Sequence, residues 1–101
     1  MRVQTQALHF SADQKLIQFI ESKLGKLEQF FDRIISANVI LKLENTGKIK
    51  DKIAEVRLKI PGGVLFVKGT QKSFEASIDM AVEALRRQLI RHKGRRSRAK
   101  L

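Results

Sequence analysis

From residue 35 to residue 69 three strand-like runs follow one another, the first two alternating apolar with polar residues, and this repeat most narrows the possible fold. In the first run, 35–44, Ala37, Val39, Leu41 and Leu43 share one face. In the second, from about 52 to 60, Ala54, Val56, Leu58 and Ile60 alternate with Glu55, Arg57 and Lys59. The third is the stretch VLFVKG, residues 64–69. A period of two places alternate side chains on opposite faces of a strand. Asn45-Thr46-Gly47 and Pro61-Gly62-Gly63 carry turn chemistry, so the three runs predict an antiparallel meander with one apolar face to be covered.

The flanking segments predict the cover. Residues 2–9 read as a further strand, with Val3, Thr5 and Ala7 alternating against Arg2, Gln4 and Gln6. Ser11-Ala12-Asp13-Gln14 has the Ser-x-x-Gln form of a capping box. After it, Ile17, Ile20, Leu24, Leu27 and Phe31 recur every three or four residues, which predicts a helix from roughly 12 to 31, weakened at Gly25. Lys15 and Lys26 fall opposite that stripe, as does Arg33 if the helix reaches it; Lys23 lies on its flank, and Glu21, Glu28 and Asp32 gather on the other side. Ser73 caps a second helix with the stripe Phe74, Ile78, Ala81 or Val82, Leu85 and Leu89, and Gly94 is its expected stop. The order β-α-β-β-β-α predicts an α+β fold, a four-stranded sheet with two helices packed on one face. A right-handed crossover makes the first strand parallel to its neighbour.

With 101 residues there is material for one domain and one modest core. No apolar run approaches the length of a membrane span, and MRVQTQALHF lacks the pattern of a secretory signal. Without cysteine, the chain has no disulfides and no thiolate chemistry, which fits a cytoplasmic protein. His9 and His92 lie in different elements, and no metal-ligand spacing, Gly-rich phosphate loop or nucleophile constellation accompanies them. The reading is therefore of a non-enzyme with no cofactor and no metal. Its charge is the stronger signal. The formal net charge is +11, and residues 86–100, RRQLIRHKGRRSRAK, hold eight Lys or Arg and no acid. Residues 1–85 hold thirteen Lys or Arg against ten acids. Cations at a helix C-terminus suit the macrodipole, which accounts for two or three of them and not for eight. So concentrated a charge points to a polyanion, most commonly nucleic acid. Trp and Tyr are absent and the six Phe are placed mostly in core positions, which argues against stacking on single-stranded bases.

Three stretches carry a resemblance: KLGKLEQFFDRI at 23–34, IPGG at 60–63 and FEASIDMAVEALRRQLIRHK at 74–93. Together they resemble the ribosome hibernation promoting factors, also described as ribosome-associated inhibitors of translation. The resemblance implies a domain similar to double-stranded RNA-binding domains that occupies the mRNA and tRNA channel of the small ribosomal subunit. Such a protein blocks initiation during slow growth or stress. It also implies contacts to 16S-type rRNA from Lys23, Lys26, Arg87, Arg91, Lys93 and Arg95, which match basic family positions. Arg86, Arg96, Arg98 and Lys100 add charge without matching the motif. On this reading residues 1–94 form the ribosome-binding domain, 95–101 form a basic tail, and the protein is a monomer off the ribosome. Gln71, Lys72, Ser73 and Phe74 depart from the acidic run the family often has before the second helix. Longer members carry a C-terminal dimerisation domain. This chain ends at Leu101, so pairing two ribosomes would need a helper factor. A general double-stranded RNA-binding module and a regulator acting through protein contacts are the alternatives.

Overall fold

The computed structural model describes the backbone of residues 1–46 and 49–99, and the side chains of 1–45 and 51–94. Its elements are β1 (Arg2–Ala7), α1 (Gln14–Gly25), a 3-10 helix (Lys26–Gln29), β2 (Ser36–Thr46), β3 (Ile49–Ile60), β4 (Gly63–Gln71) and α2 (Phe74–Ala99). The sheet order is β1-β2-β3-β4. β1 runs parallel to β2, with Val3 opposite Ala37 and Thr5 opposite Val39, while the other pairings are antiparallel. The expected α+β architecture is therefore present: α1 lies against β1, and α2 lies on β3 and β4.

The alternating runs point where their period requires. Ala37, Val39, Leu41, Ala54, Val56, Leu58 and Ile60 are buried beneath Ile20, Leu24, Leu27, Ile78, Ala81, Leu85 and Leu89. Within the second helix the core position is Ala81, and Val82 only borders the core. Leu43 departs from the expectation and is 52% exposed. β1 stops at Ala7, opposite Leu41, so Leu43 lies on the part of the β2–β3 arm that runs past its neighbouring strand. The turn expected at Asn45-Thr46-Gly47 begins later, since Asn45 and Thr46 are still paired in β2, and Gly47 lies outside the described residues. At the next hairpin Ile60 pairs with Gly63 around Pro61-Gly62, and Gly62 has φ +86°. Pro followed by a residue of positive φ is the demand of a type II turn.

Three local expectations are corrected. The cap of α1 is Asp13, not Ser11: its Oδ1 accepts from the Leu16 N–H at 2.8 Å. A carboxylate there gains both the hydrogen bond and the attraction of the helix dipole. The first helix does not continue in α form to residue 31; it ends at Gly25 and tightens into the 3-10 helix. Leu24 and Leu27 stay buried because a spacing of three serves both helix types. The second helix does not stop at Gly94 but continues to Ala99. A single glycine costs a helix interior only about 1 kcal/mol, and the residues beside it include good helix formers and no proline.

The front of α2 is fastened to the sheet. Ser73 Oγ accepts from the Ala76 N–H at 3.1 Å, as the sequence predicts for a cap. The buried Ser77 hydroxyl lies 2.5 Å from the Lys52 carbonyl of β3 and 3.0 Å from that of Ser73. Gly69 of β4 permits this approach: a Cβ there would stand 2.1 Å from the Ser77 carbonyl oxygen. The loop between β4 and α2 is also tied down. Lys72 Nζ lies 2.7 Å from Asp51 Oδ1, and Phe74 stacks on Phe10 with ring centroids 5.1 Å apart.

Candidate nucleic-acid interface

Charge is divided along α2. Its first half carries Glu75, Asp79 and Glu83; its second half carries Arg86, Arg87, Arg91, Lys93, Arg95, Arg96 and Arg98 with no acid. Acids sit toward the positive end of the helix dipole and cations toward the negative end, so the helix itself tolerates the division. Leu85 and Leu89 hold the front of the basic half against the core. The helix then carries the remaining cations outward, because no break intervenes at Gly94. Positions 87, 91, 95 and 98 recur every four or three residues and therefore form one row along the helix.

Aromatic residues of the first-helix exit underlie this half. Phe31 is buried and meets the His92 ring edge-on at 5.6 Å, while the Phe30 ring lies 5.1 Å from the Arg86 guanidinium. The 26–34 segment thus lies beside residues 86–92, and the exposed Lys26 is carried on its 3-10 turn. His92 Nε2 is buried without a hydrogen-bond partner. With Leu65, Gln88 and Arg91 it lines a shallow cleft of about 180 Å³.

The residues expected to bind rRNA do not form one equivalent set. Lys23 is half-buried, 3.2 Å from Asp79, and its Nζ lies 5.4 Å from the Phe19 ring centroid. Its charge tethers α1 to α2. Arg86 donates to Glu83 Oε1 at 3.1 Å, and Arg87 lies 3.9 Å from the same oxygen. One carboxylate shared by two guanidinium groups leaves a net positive charge. Lys26, Arg91 and Lys93 are exposed and have no ion pair among the described residues. Arg95 and Arg96 lie on the helix, but their side chains are outside the described residues, as are residues 100 and 101. Sequence reasoning missed Phe30 as the support of Arg86, and Gly69 and Ser77 as the clamp. The adjacent aromatics Phe30-Phe31 were the available signal once the helix was known to end before them.

Among the described residues, no group of three or more His, Cys, Asp or Glu is placed to hold a metal, and no helix is long and apolar enough to cross a membrane. The arrangement presents positive charge rather than reactive groups.

Comparison with known proteins agrees with the fold and the motifs. The chain is 34% identical over 93 residues to the ribosome hibernation promoting factor of Pseudomonas putida, covering 92% of this chain and 87% of that one. It is 37% identical over 75 residues to the factor of the same name from Klebsiella oxytoca, covering 74% and 75%. Among solved structures, the N-terminal domain of Thermus thermophilus Protein Y superposes with a TM-score of 0.77 at 28% identity, covering 91% of this chain and 99% of that one. A ribosomal subunit interface protein from Coxiella burnetii shares the fold, with a TM-score of 0.81 at 21% identity over 93% of this chain and 99% of that one. Residues 3–97 match the family profile described as sigma 54 modulation protein / S30EA ribosomal protein, and the chain belongs to that family.

Proposed function

We propose that this protein is a ribosome hibernation factor. It binds the small subunit in the mRNA and tRNA channel and inhibits translation during slow growth or stress. The observation that carries the reading is the basic half of α2, which is unbroken, free of acids and anchored by Leu85 and Leu89. A channel walled by RNA phosphates is recognised by such a surface through charge and shape, without reading bases. The names of the relatives support the ribosome as partner. On this reading the protein works in the cytoplasm, as a monomer until it docks, and without catalysis.

The cations divide by role. Arg91 and Lys93, with Lys26 beside them, are the primary phosphate contacts; Arg86 and Arg87 contribute after release from Glu83; Lys23 holds the helices in register. Residues 1–94 form the docking body, and the basic tail 95–101 adds to its charge.

The test is co-sedimentation with small subunits at several salt concentrations, with duplex RNA as competitor and a translation assay in parallel. With about six phosphates neutralised, affinity falls roughly a thousandfold between 50 and 200 mM salt. Replacing Arg87 and Arg91 by Gln lowers the salt slope by about two and relieves inhibition, with the fold intact. Replacing Arg95, Arg96 and Arg98 by Gln weakens binding without moving the docked position. A flat salt response defeats the phosphate mechanism. Equal competition by free duplex favours a general double-stranded RNA-binding module.

A further inference from the structure

The helices cover one face of the sheet, and the opposite face remains open. Its composition is uneven. At one end, Glu55 is paired with Lys42 at 3.0 Å and Asp51 with Lys72. Toward the other end Arg57 and Lys59 are exposed, Lys68 is exposed opposite Glu55, and none of the three cations has an ion pair among the described residues. Among these cations stands Phe66, 49% exposed, with Val64 on the same strand 59% exposed. Phe66 is directly opposite Arg57, whose guanidinium lies 5.8 Å from its ring centroid.

The register extends this pair into a row. Arg57 faces Asn38 on β2, and Asn38 faces Gln4 on β1. Gln4 and Asn38 also line a shallow trough with Gln6 and Ile40. An aromatic face, a guanidinium and two carboxamides therefore cross all four strands, over about 14 Å at ordinary strand spacing. Carboxamides offer both donors and acceptors, as base edges require. Aromatic and guanidinium planes accept unstacked bases, and a four-stranded sheet with exposed aromatics accommodates two or three of them. The sequence-based argument against base stacking assumed that the phenylalanines lie mostly in the core; Phe66 is the exception that removes it.

We infer that the open sheet face is a second RNA-contact surface, on which a base of single-stranded RNA stacks on Phe66 while Arg57, Lys59 and Lys68 take the flanking phosphates. The inference rests on the reading that the partner is RNA and goes beyond the basic helix as the sole contact. Phosphates drawn by α2 set the position, and a flipped or unpaired base on the sheet adds a contact that depends on single-strandedness.

The full chain is titrated with a labelled single-stranded hexanucleotide and with a duplex of equal charge, by fluorescence anisotropy, and sheet amides are followed by NMR. Phe66→Ala weakens hexanucleotide binding roughly tenfold and leaves duplex binding unchanged. Phe66→Leu keeps the apolar bulk without the ring and behaves like the Ala variant. Thermal unfolding of both variants matches wild type, because the side chain is half in solvent. Unchanged hexanucleotide affinity in both variants, or amide shifts confined to α2, overturns the inference. Sheet-face shifts that grow with protein concentration in the absence of RNA also overturn it, because a second copy then covers the face. Wild-type sedimentation with ribosomes is measured in parallel. If it is absent while hexanucleotide binding still depends on Phe66, the ribosome reading fails and the sheet site stands.

Discussion

The two halves of α2 obey the same helical geometry and serve opposite purposes. From Phe74 to Leu85 the helix is tied down by the Ser73 cap, the Ser77 hydroxyl against β3, the Gly69 approach and a continuous apolar stripe. Its exposed acids lie in this half. From Arg86 onward Leu89 is the last fully buried hydrophobic residue among those described, and every charged residue is a cation. Rigidity is built at one end and delivered at the other. A cation on an anchored helix loses less conformational freedom on docking than one on a loose chain, so under the proposed function the clamp contributes to binding without touching the ligand.

The comparison breaks most sharply under substitution of the anchored half. Leu85→Ala opens a cavity in a small core and costs about 2–5 kcal/mol of stability by chemical denaturation, while RNA affinity per folded molecule falls only as far as the helix loosens. Gly69→Ala drives a Cβ into the Ser77 carbonyl and costs about 1–3 kcal/mol, because β4 and α2 must separate. If either variant loses affinity while retaining full stability, the anchored half also contacts the ligand and the division fails. Glu83→Gln is the smallest change and the sharpest. It frees Arg86 and Arg87 from their shared carboxylate, costs about 0.5 kcal/mol or less of stability, and tightens RNA binding severalfold at low salt. Weaker binding by that variant would mean that Glu83 positions the two guanidinium groups rather than restraining them.

Much of this was legible before any coordinates. The period-two runs identify the core faces of β2 and β3, and the stripe through Phe74, Ile78, Leu85 and Leu89 identifies the buried side of α2, because burial imposes a local period. What escaped depends on partners distant in sequence. Lys23 reads as a free cation until Asp79, from another element, is seen beside it. Leu43 belongs to the right face of its strand, but its exposure depends on where β1 ends. Phe66 reads as one of four consecutive apolar residues, and it lies at the surface because no layer among the described residues covers the sheet face opposite Leu65 and Val67. The boundary at Gly94 failed differently: the local signal was real but small beside the helix formers around it.

The acid-to-cation order along α2 has a kinetic consequence. A 26-residue helix is about 39 Å long, so the separated charges give the molecule a large electric dipole fixed to its frame. In the field of an RNA polyanion that dipole experiences a torque before contact, turning the cationic end inward while the protein is still diffusing. The fraction of encounters that arrive correctly oriented rises, and at physiological ionic strength this orienting effect is confined to roughly the last 8 Å of approach, beyond which salt screens it. Under the proposed function Glu75 and Asp79, near the start of the helix, thereby help to orient the approach of a partner that the cationic end contacts.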